Sequence, residues 1–127
     1  MAENKEYYTQ EMENGSIQIS EDVVASVTGM AVLEVEGVCG LSSSIGTDIA
    51  EMLGMKTLSK GVRLSPTETG ALRIDCDVVS KFGQNIFELA KNVQENVKSS
   101  VESVTGLRVA EVNVTVCGIA LPKDSKK

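Results

Sequence analysis

The feature that most constrains the fold is a stripe of apolar residues between positions 86 and 104. Its members recur every three or four residues, which is the spacing that places side chains on one face of an α-helix. Charged pairs such as Glu95 and Lys98 fall on the opposite face. Asn85 is predicted to be the N-cap, and Gly106 is predicted to end the helix. The stripe predicted to face the core consists of Ile86, Ala90, Val93, Val97, Val101 and Val104.

Strand patterns lie on both sides of this helix. Residues 62–64 and 72–79 surround the polar turn SPTETG and predict a β-hairpin, and a final strand is predicted from about residue 107 to residue 119. Alternation predicts which strand residues point to the core and which point to water. The inward set is Leu72, Ile74, Cys76, Val78, Val112, Val114 and Val116, and the outward set is Arg73, Asp75, Asp77, Asn113, Thr115 and Cys117.

A second helix is predicted nearer the N-terminus. Ser20 serves as its N-cap, Glu21 and Asp22 occupy the first turn, and Gly37 ends it. Residues 16–19 alternate as a short strand before this helix, and residues 37–41 suggest another short strand after it. Together these elements predict an α+β fold: a two-layer sandwich in which two main helices pack on one face of a mixed or antiparallel sheet of about four strands.

The length of 127 residues predicts one domain. Residues 1–14 are polar and lack a period, so they are predicted to form a disordered tail. Residues 15–121 carry all of the periodic patterns and are predicted to form the single domain, and residues 122–127 are predicted to form a C-terminal tail.

Composition argues against several classes of protein. There are 12 basic and 18 acidic residues, for a net charge of −6, and no helix concentrates Lys or Arg, which argues against nucleic acid as a partner. No apolar run approaches the roughly 20 residues that span a bilayer, so direct membrane insertion is not expected. Three scattered cysteines and no histidine argue against a metal site and for a reducing, cytoplasmic location.

The turn between the predicted strand at residues 72–79 and the long helix resembles the layout of a phosphate site. Only Gly83 stands where a dinucleotide-binding fingerprint needs three glycines, and no P-loop lysine follows. Asn85 and Glu88 form a capping-box-like pair that occupies the N–H groups a phosphate would need. A structural turn is therefore favoured, and no cofactor is predicted.

Two aspartates, Asp75 and Asp77, point to the same side of a predicted strand. Such a pair can clamp a metal ion or divide acid and base roles. A solvated sheet face is the favoured interpretation, because antiparallel sheets commonly leave one face to water. Without histidine, catalysis by a histidine-activated nucleophile is excluded. We predict instead that Asp75 and Asp77 form part of an interaction surface with Asn113 and Thr115.

Residues 45–58 form a second candidate contact surface. The segment IGTDIAEMLGMKTL holds the apolar residues Ile49, Met52, Leu53 and Met55 among small and polar ones. Methionine suits adaptable contact surfaces, and connectors longer than about 12 residues are often functional. The other interpretation is a lid that closes the main core; it is slightly favoured, and the contact surface stays open beside it.

Several short stretches, taken in order, resemble one protein family. They are GSIQIS at 15–20 followed by EDVV, EGV at 36–38, GV at 61–62, residues 78–82 with GQNI at 83–86, VQ at 93–94, TGL at 105–107 and VNVTV at 112–116. Their order and spacing over residues 15–119 resemble the alkaline shock protein family. The resemblance implies a non-enzymatic, cytoplasmic envelope-stress protein of bacteria, held at the membrane in some members by a small integral-membrane partner. It brings no catalytic residues and no cofactor.

Two functions from different classes follow from the sequence. The favoured one is an interaction or scaffold module that associates with itself or with protein partners. The alternative is an accessory subunit or an enzyme that acts on a small phosphorylated or acyl substrate through Lys81 or the helix start at Asn85.

Overall fold

The computed structural model describes residues 7–41 and 61–121, which form a two-layer α+β domain. Two helices pack on one face of a mixed sheet of four strands, and a separate two-stranded hairpin precedes them. The predicted fold class is confirmed. In chain order the elements are β1 (Tyr7–Met12), β2 (Gly15–Ser20), α1 (Glu21–Leu33), β3 (Val38–Leu41), β4 (Val62–Pro66), β5 (Leu72–Lys81), α2 (Ile86–Thr105) and β6 (Val109–Ala120).

β5 is the central strand of the main sheet. β6 runs parallel to it from the Leu72↔Val109 pair to the Lys81↔Ala120 pair. The other edge of β5 is shared in succession by two antiparallel strands, β4 opposite residues 72–76 and β3 opposite residues 78–80. A parallel pair requires a crossover connection, and α2 supplies it, so α2 runs antiparallel to β5 and β6.

The core lies between the sheet and the two helices. The four residues of β5 predicted to point inward are at most 2% exposed, and the middle of the predicted α2 stripe is fully buried. The prediction of the stripe is wrong at its C-terminal end, where Val104 is 66% exposed. Steps of four residues lead from Val97 through Val101 to Thr105, so Thr105 takes the buried place expected for Val104. Leu89, which was not predicted, completes the buried face at the other end.

The helix ends were predicted with mixed success. The Ser20 hydroxyl accepts a hydrogen bond from the Val23 N–H at 3.3 Å, which confirms the N-cap of α1. The helix ends at Leu33 rather than at Gly37. Gly37 has φ +97° and lies where a Cβ atom would be 2.6–2.8 Å from side-chain atoms of Gln84 and Leu89, so its role is close packing before β3.

Residues 7–12, predicted as part of a disordered tail, form β1 instead. β1 pairs with β2 from Tyr7↔Ser20 to Met12↔Gly15, and a two-residue connection joins the strands. The connecting residues are Glu13 and Asn14, and Gly15 follows them at φ +134°, a conformation that favours glycine. Tyr8 and Ile19 share one face of the hairpin and pack against the core, which explains why a polar stretch is ordered.

Candidate functional site

The sheet face opposite the helices carries four of the predicted contact residues. Asp75 on β5 lies beside Asn113 on β6, and Asp77 lies beside Thr115 in the same register. Because the pairing is parallel and in register, the four side chains project from adjacent positions on the face opposite the helices. We call the surface that includes them the polar sheet face.

Asp77 is held by an arginine from the neighbouring strand. Arg63 on β4 donates from both terminal nitrogens to the Asp77 carboxylate, at 2.8 and 3.3 Å. The hydrogen bonds from Arg63, with its positive charge, hold the pKa of Asp77 below its usual range and raise the pKa of Arg63. Such a bidentate pair fixes the geometry of both side chains.

A second group of polar contacts lies at the other end of the face. Arg73 on β5 donates to Glu111 on β6 at 2.5 Å. The Asn113 amide donates to Asp75 at 2.9 Å and to Glu111 at 3.4 Å. The hydrogen bond from Arg73, followed by that from Asn113, lowers the pKa of Glu111.

Arg63 and Glu111 were not recognised from the sequence as members of this face. The alternation predicts the direction of each side chain, but its cross-strand partner depends on the register. The register of two strands that are distant in the sequence cannot be predicted from either strand alone. Once β6 is aligned with β5 in parallel, the Arg73–Glu111 pair follows from the register.

The hydrogen bonds of the polar sheet face favour the ionised form of two of its carboxyl groups. A catalytic acid usually needs a pKa raised towards neutrality, whereas the shifted carboxyl groups here, Asp77 and Glu111, both have a lowered pKa. Within residues 7–41 and 61–121 no three His, Cys, Asp or Glu side chains are grouped in a way that could hold a metal ion. Beneath the face, Cys76 is fully buried, and burial, followed by the charges of Asp75 and Asp77, raises its pKa to about 12.

The turn before α2 has the structural role favoured by the sequence. The Asn85 side-chain oxygen accepts a hydrogen bond from the Glu88 N–H at 3.0 Å, which confirms the N-cap. Gly83 takes φ +91°, as a turn residue does. Lys81, the other residue of the alternative enzymatic function, is exposed at the end of β5.

The other candidate contact residues, Ile49, Met52, Leu53 and Met55, lie outside the described residues, and their role stays a prediction. In the part of the chain that the structure describes, neither helix is both long and apolar enough to cross a membrane.

Comparison with known proteins identifies the family. The chain is 37% identical over 108 residues to the uncharacterized protein Spy1614 of Streptococcus pyogenes, covering 84% of this chain and 88% of that protein. It is 36% identical over 107 residues to the uncharacterized protein YloU of Bacillus subtilis, covering 83% and 88%. Among solved structures, a variant of MamM-CTD matches 81% of this chain and 99% of its own, with 14% identity and a TM-score of 0.47.

A family model with a cell envelope-related function matches residues 9–121, which is most of the chain and includes every strand and helix from β2 to β6. The resemblance seen in the sequence is confirmed, and the chain belongs to the alkaline shock protein 23 family.

Proposed function

We propose that this protein is a non-enzymatic interaction module of the cell envelope, and that it binds a protein partner through the polar sheet face. The observation that supports this most directly is that the side chains of the face are already fixed by one another. Arg63 holds Asp77, Arg73 holds Glu111, and Asn113 holds Asp75. A partner that meets this surface finds polar groups already ordered, so less side-chain entropy is lost on binding.

We propose further that the protein works on the cytoplasmic side of the membrane and reaches the envelope through a membrane-bound partner. The chain carries a net charge of −6, which opposes direct attraction to anionic lipids. A second protein that supplies the membrane attachment would account for the family's cell envelope-related function. Stress response is the setting in which we expect this partnership to operate.

An exchange of charges across one ion pair tests the surface without changing the net charge. In the double variant Arg63→Asp with Asp77→Arg, the two side chains still attract each other, but the pattern presented to a partner is reversed. The tagged full chain and this variant are used for affinity capture from a Gram-positive host, with and without detergent solubilisation of the membrane. We expect the parent to retain a detergent-extracted protein that the variant loses, while the urea midpoints of the two purified proteins agree.

Two results would count against this function. If parent and variant retain the same proteins in the same amounts, the polar sheet face is not the binding surface. If the parent retains no protein under any condition, the interaction module itself is contradicted.

A further inference from the structure

β6 has one edge that no described strand uses. The strand is 12 residues long, and β5 pairs with it along one side only. Unpaired N–H and C=O groups on such an edge form a template for another strand. Pairing with another strand requires several successive N–H and C=O groups that point outward and are not occupied by other contacts.

The hydrogen bonds of β5 show which groups of β6 point outward. The N–H of Leu72 donates to Arg108, just before β6, and the N–H of Phe82, just after β5, donates to Ala120 at the end of β6. The N–H of Asp77 donates to Gly61 on the opposite side. Even-numbered residues of β5 therefore face β6. In the parallel register that places Ile74 opposite Val112, the odd-numbered residues 111, 113 and 115 of β6 bond to β5.

The main-chain groups of Val112, Val114 and Val116 consequently point away from β5. One contact supports this: the Gln94 side chain of α2 donates to the Val112 carbonyl at 3.0 Å. Gln94 thus occupies a group at one end of the free edge, and the N–H and C=O groups of Val114 and Val116 remain directed outward. The register is continuous from Glu111 to Val116, and the shifts occur only before and after this stretch.

The usual protections of an edge strand are missing from this stretch. Natural edges are blunted by lysine, by proline or by inward-pointing charges. β6 has the sequence VAEVNVTVCGIA, which contains no lysine and no proline and has Glu111 as its single charged residue. Its β-branched residues favour the extended conformation that pairing requires.

An exposed aromatic side chain lies beside the same edge. Phe87 is 74% exposed and precedes Gln94 by seven residues, or two helical turns, so both side chains are on the β6 side of α2. Two turns correspond to about 10 Å, and about three residues of a strand cover the same distance. Because α2 and β6 are antiparallel, Phe87 lies near the level of Thr115, close to the middle of the free stretch.

We propose that the free edge of β6 pairs with β6 of a second copy of this chain, antiparallel and about a twofold axis at Thr115. This inference rests on the proposed function as an interaction module and names one of its partners. The twofold axis places Thr115 beside Thr115 of the partner subunit and Val114 beside Val116 of the partner subunit. Both valines point their main-chain groups outward, so each N–H finds a carbonyl.

The arrangement also satisfies the charges and the apolar surface. Glu111 lies four residues from Thr115, so the two acidic side chains are on opposite sides of the twofold axis and do not repel each other at close range. Phe87 approaches Phe87 of the partner subunit across the axis, where both exposed rings lose contact with water. A strand from a different protein would have no such symmetry to match.

Light scattering coupled to size exclusion, on the full chain between about 1 and about 100 µM, measures the dimer directly. Val114→Pro removes an outward N–H that the sheet of one copy does not use, and it also removes a valine side chain partly buried against the core, so its urea midpoint is measured beside its Kd. Phe87→Glu changes an exposed side chain and leaves the core intact. Each is expected to raise the dimer Kd at least about tenfold. Val104→Glu, which changes another exposed apolar side chain of the same helix, is the matched control and should leave the Kd within about twofold.

A disulfide at the axis tests the register. Thr115→Cys is placed in a background with Cys39→Ser and Cys117→Ser, and the protein is oxidised with oxidised glutathione. Opposing residues at the axis of an antiparallel pair fall within disulfide range, so a covalent dimer should form readily. Ser99→Cys, exposed on α2, is the control and should form no covalent dimer.

A parent that is monomeric at the highest concentration would overturn the edge pairing, as would a dimer that Val114→Pro and Phe87→Glu both leave intact. A dimer that Thr115→Cys does not cross-link above the level of Ser99→Cys would also overturn it. These outcomes do not depend on the charge exchange between Arg63 and Asp77. Loss of the captured partner in that variant would still support the proposed function if the edge pairing failed.

Discussion

Replacing Val97 by aspartate should destabilise the domain far more than the same change at Val104. Both valines lie on α2, seven residues apart, and both belonged to the stripe predicted from the sequence. In the structure Val97 is 0% exposed and Val104 is 66% exposed. The pair therefore isolates burial from helix propensity and from the chemistry of the substitution.

The expected magnitude at Val97 has two parts. Losing a fully buried valine side chain forfeits about 1.5–3 kcal/mol of transfer free energy. Placing a carboxyl group against the sheet without a partner costs about 1–3 kcal/mol more, and more again while the group is charged. The sum is about 4 kcal/mol, a large part of the roughly 5–15 kcal/mol that stabilises a typical domain. At Val104 the cost should stay below about 1 kcal/mol, mostly from a negative charge near the helix C-terminus.

Urea unfolding followed by far-ultraviolet circular dichroism measures both variants. If Val97→Asp does not fold, Val97→Ala provides a milder test, with an expected loss of about 2 kcal/mol. Burial raises the pKa of an introduced carboxyl, so the folded state binds the proton more readily than the unfolded state. The penalty of Val97→Asp should therefore be smaller at pH 5 than at pH 8, and that of Val104→Asp should not change. Equal losses of stability for the two variants would refute the assigned buried face.

Three other predictions follow from the structure. The Cys76 thiol is buried and its pKa is raised to about 12, so it should resist alkylation at pH 8 until the protein is unfolded. The exposed Cys39 and Cys117 should react in the native state. Mass spectrometry counts the adducts, and fast labelling of Cys76 in the native protein would contradict its burial. Asp77→Asn should remove less than about 1 kcal/mol at neutral pH, as expected for an exposed ion pair. Contact with Arg63 lowers the folded-state pKa of Asp77 from the ordinary value of 3.8, so the parent keeps this stabilisation above pH 3.8 and loses it as the pH falls through the lower folded value. The urea midpoints of parent and variant should therefore converge in acid. A difference that stays constant with pH would show that the pair does not stabilise the fold. Purified protein should not float with anionic vesicles at physiological salt, and flotation without any other protein would contradict attachment through a partner.

The sequence correctly predicted three helix caps and the buried face of β5, which depend on residues close to one another in the chain. The N-caps Ser20 and Asn85 and the C-terminal residue Gly106 act where the sequence placed them, because each of these roles is decided by a residue and its near neighbours. The alternation along β5 correctly separated the buried residues from those of the polar sheet face for the same reason.

The features that sequence reasoning missed depend on partners far along the chain. The strand at residues 7–12 is ordered by its pairing with β2 and by the packing of Tyr8 against the core. The polar composition of these residues predicts neither contact. The membership of Glu111 in the polar sheet face depends on the register of β6 against β5. Val104 was misplaced because its seven-residue spacing from Val97 fits the apolar stripe, and the spacing alone does not show that Thr105 is buried in its place in the last turn.

The division of one edge of β5 between β3 and β4 has a consequence for how this fold can be engineered and how it can vary. Leu41 pairs opposite Val78, and the chain re-enters the same edge at Val62, opposite Cys76. The two ends of the intervening connection are therefore close together, beside a strand whose other side is held by β6. Closing a loop between neighbouring ends costs free energy that grows only with the logarithm of its length. Connections of different lengths can thus join Leu41 to Val62 while the pairings of β3 and β4 with β5 stay in place.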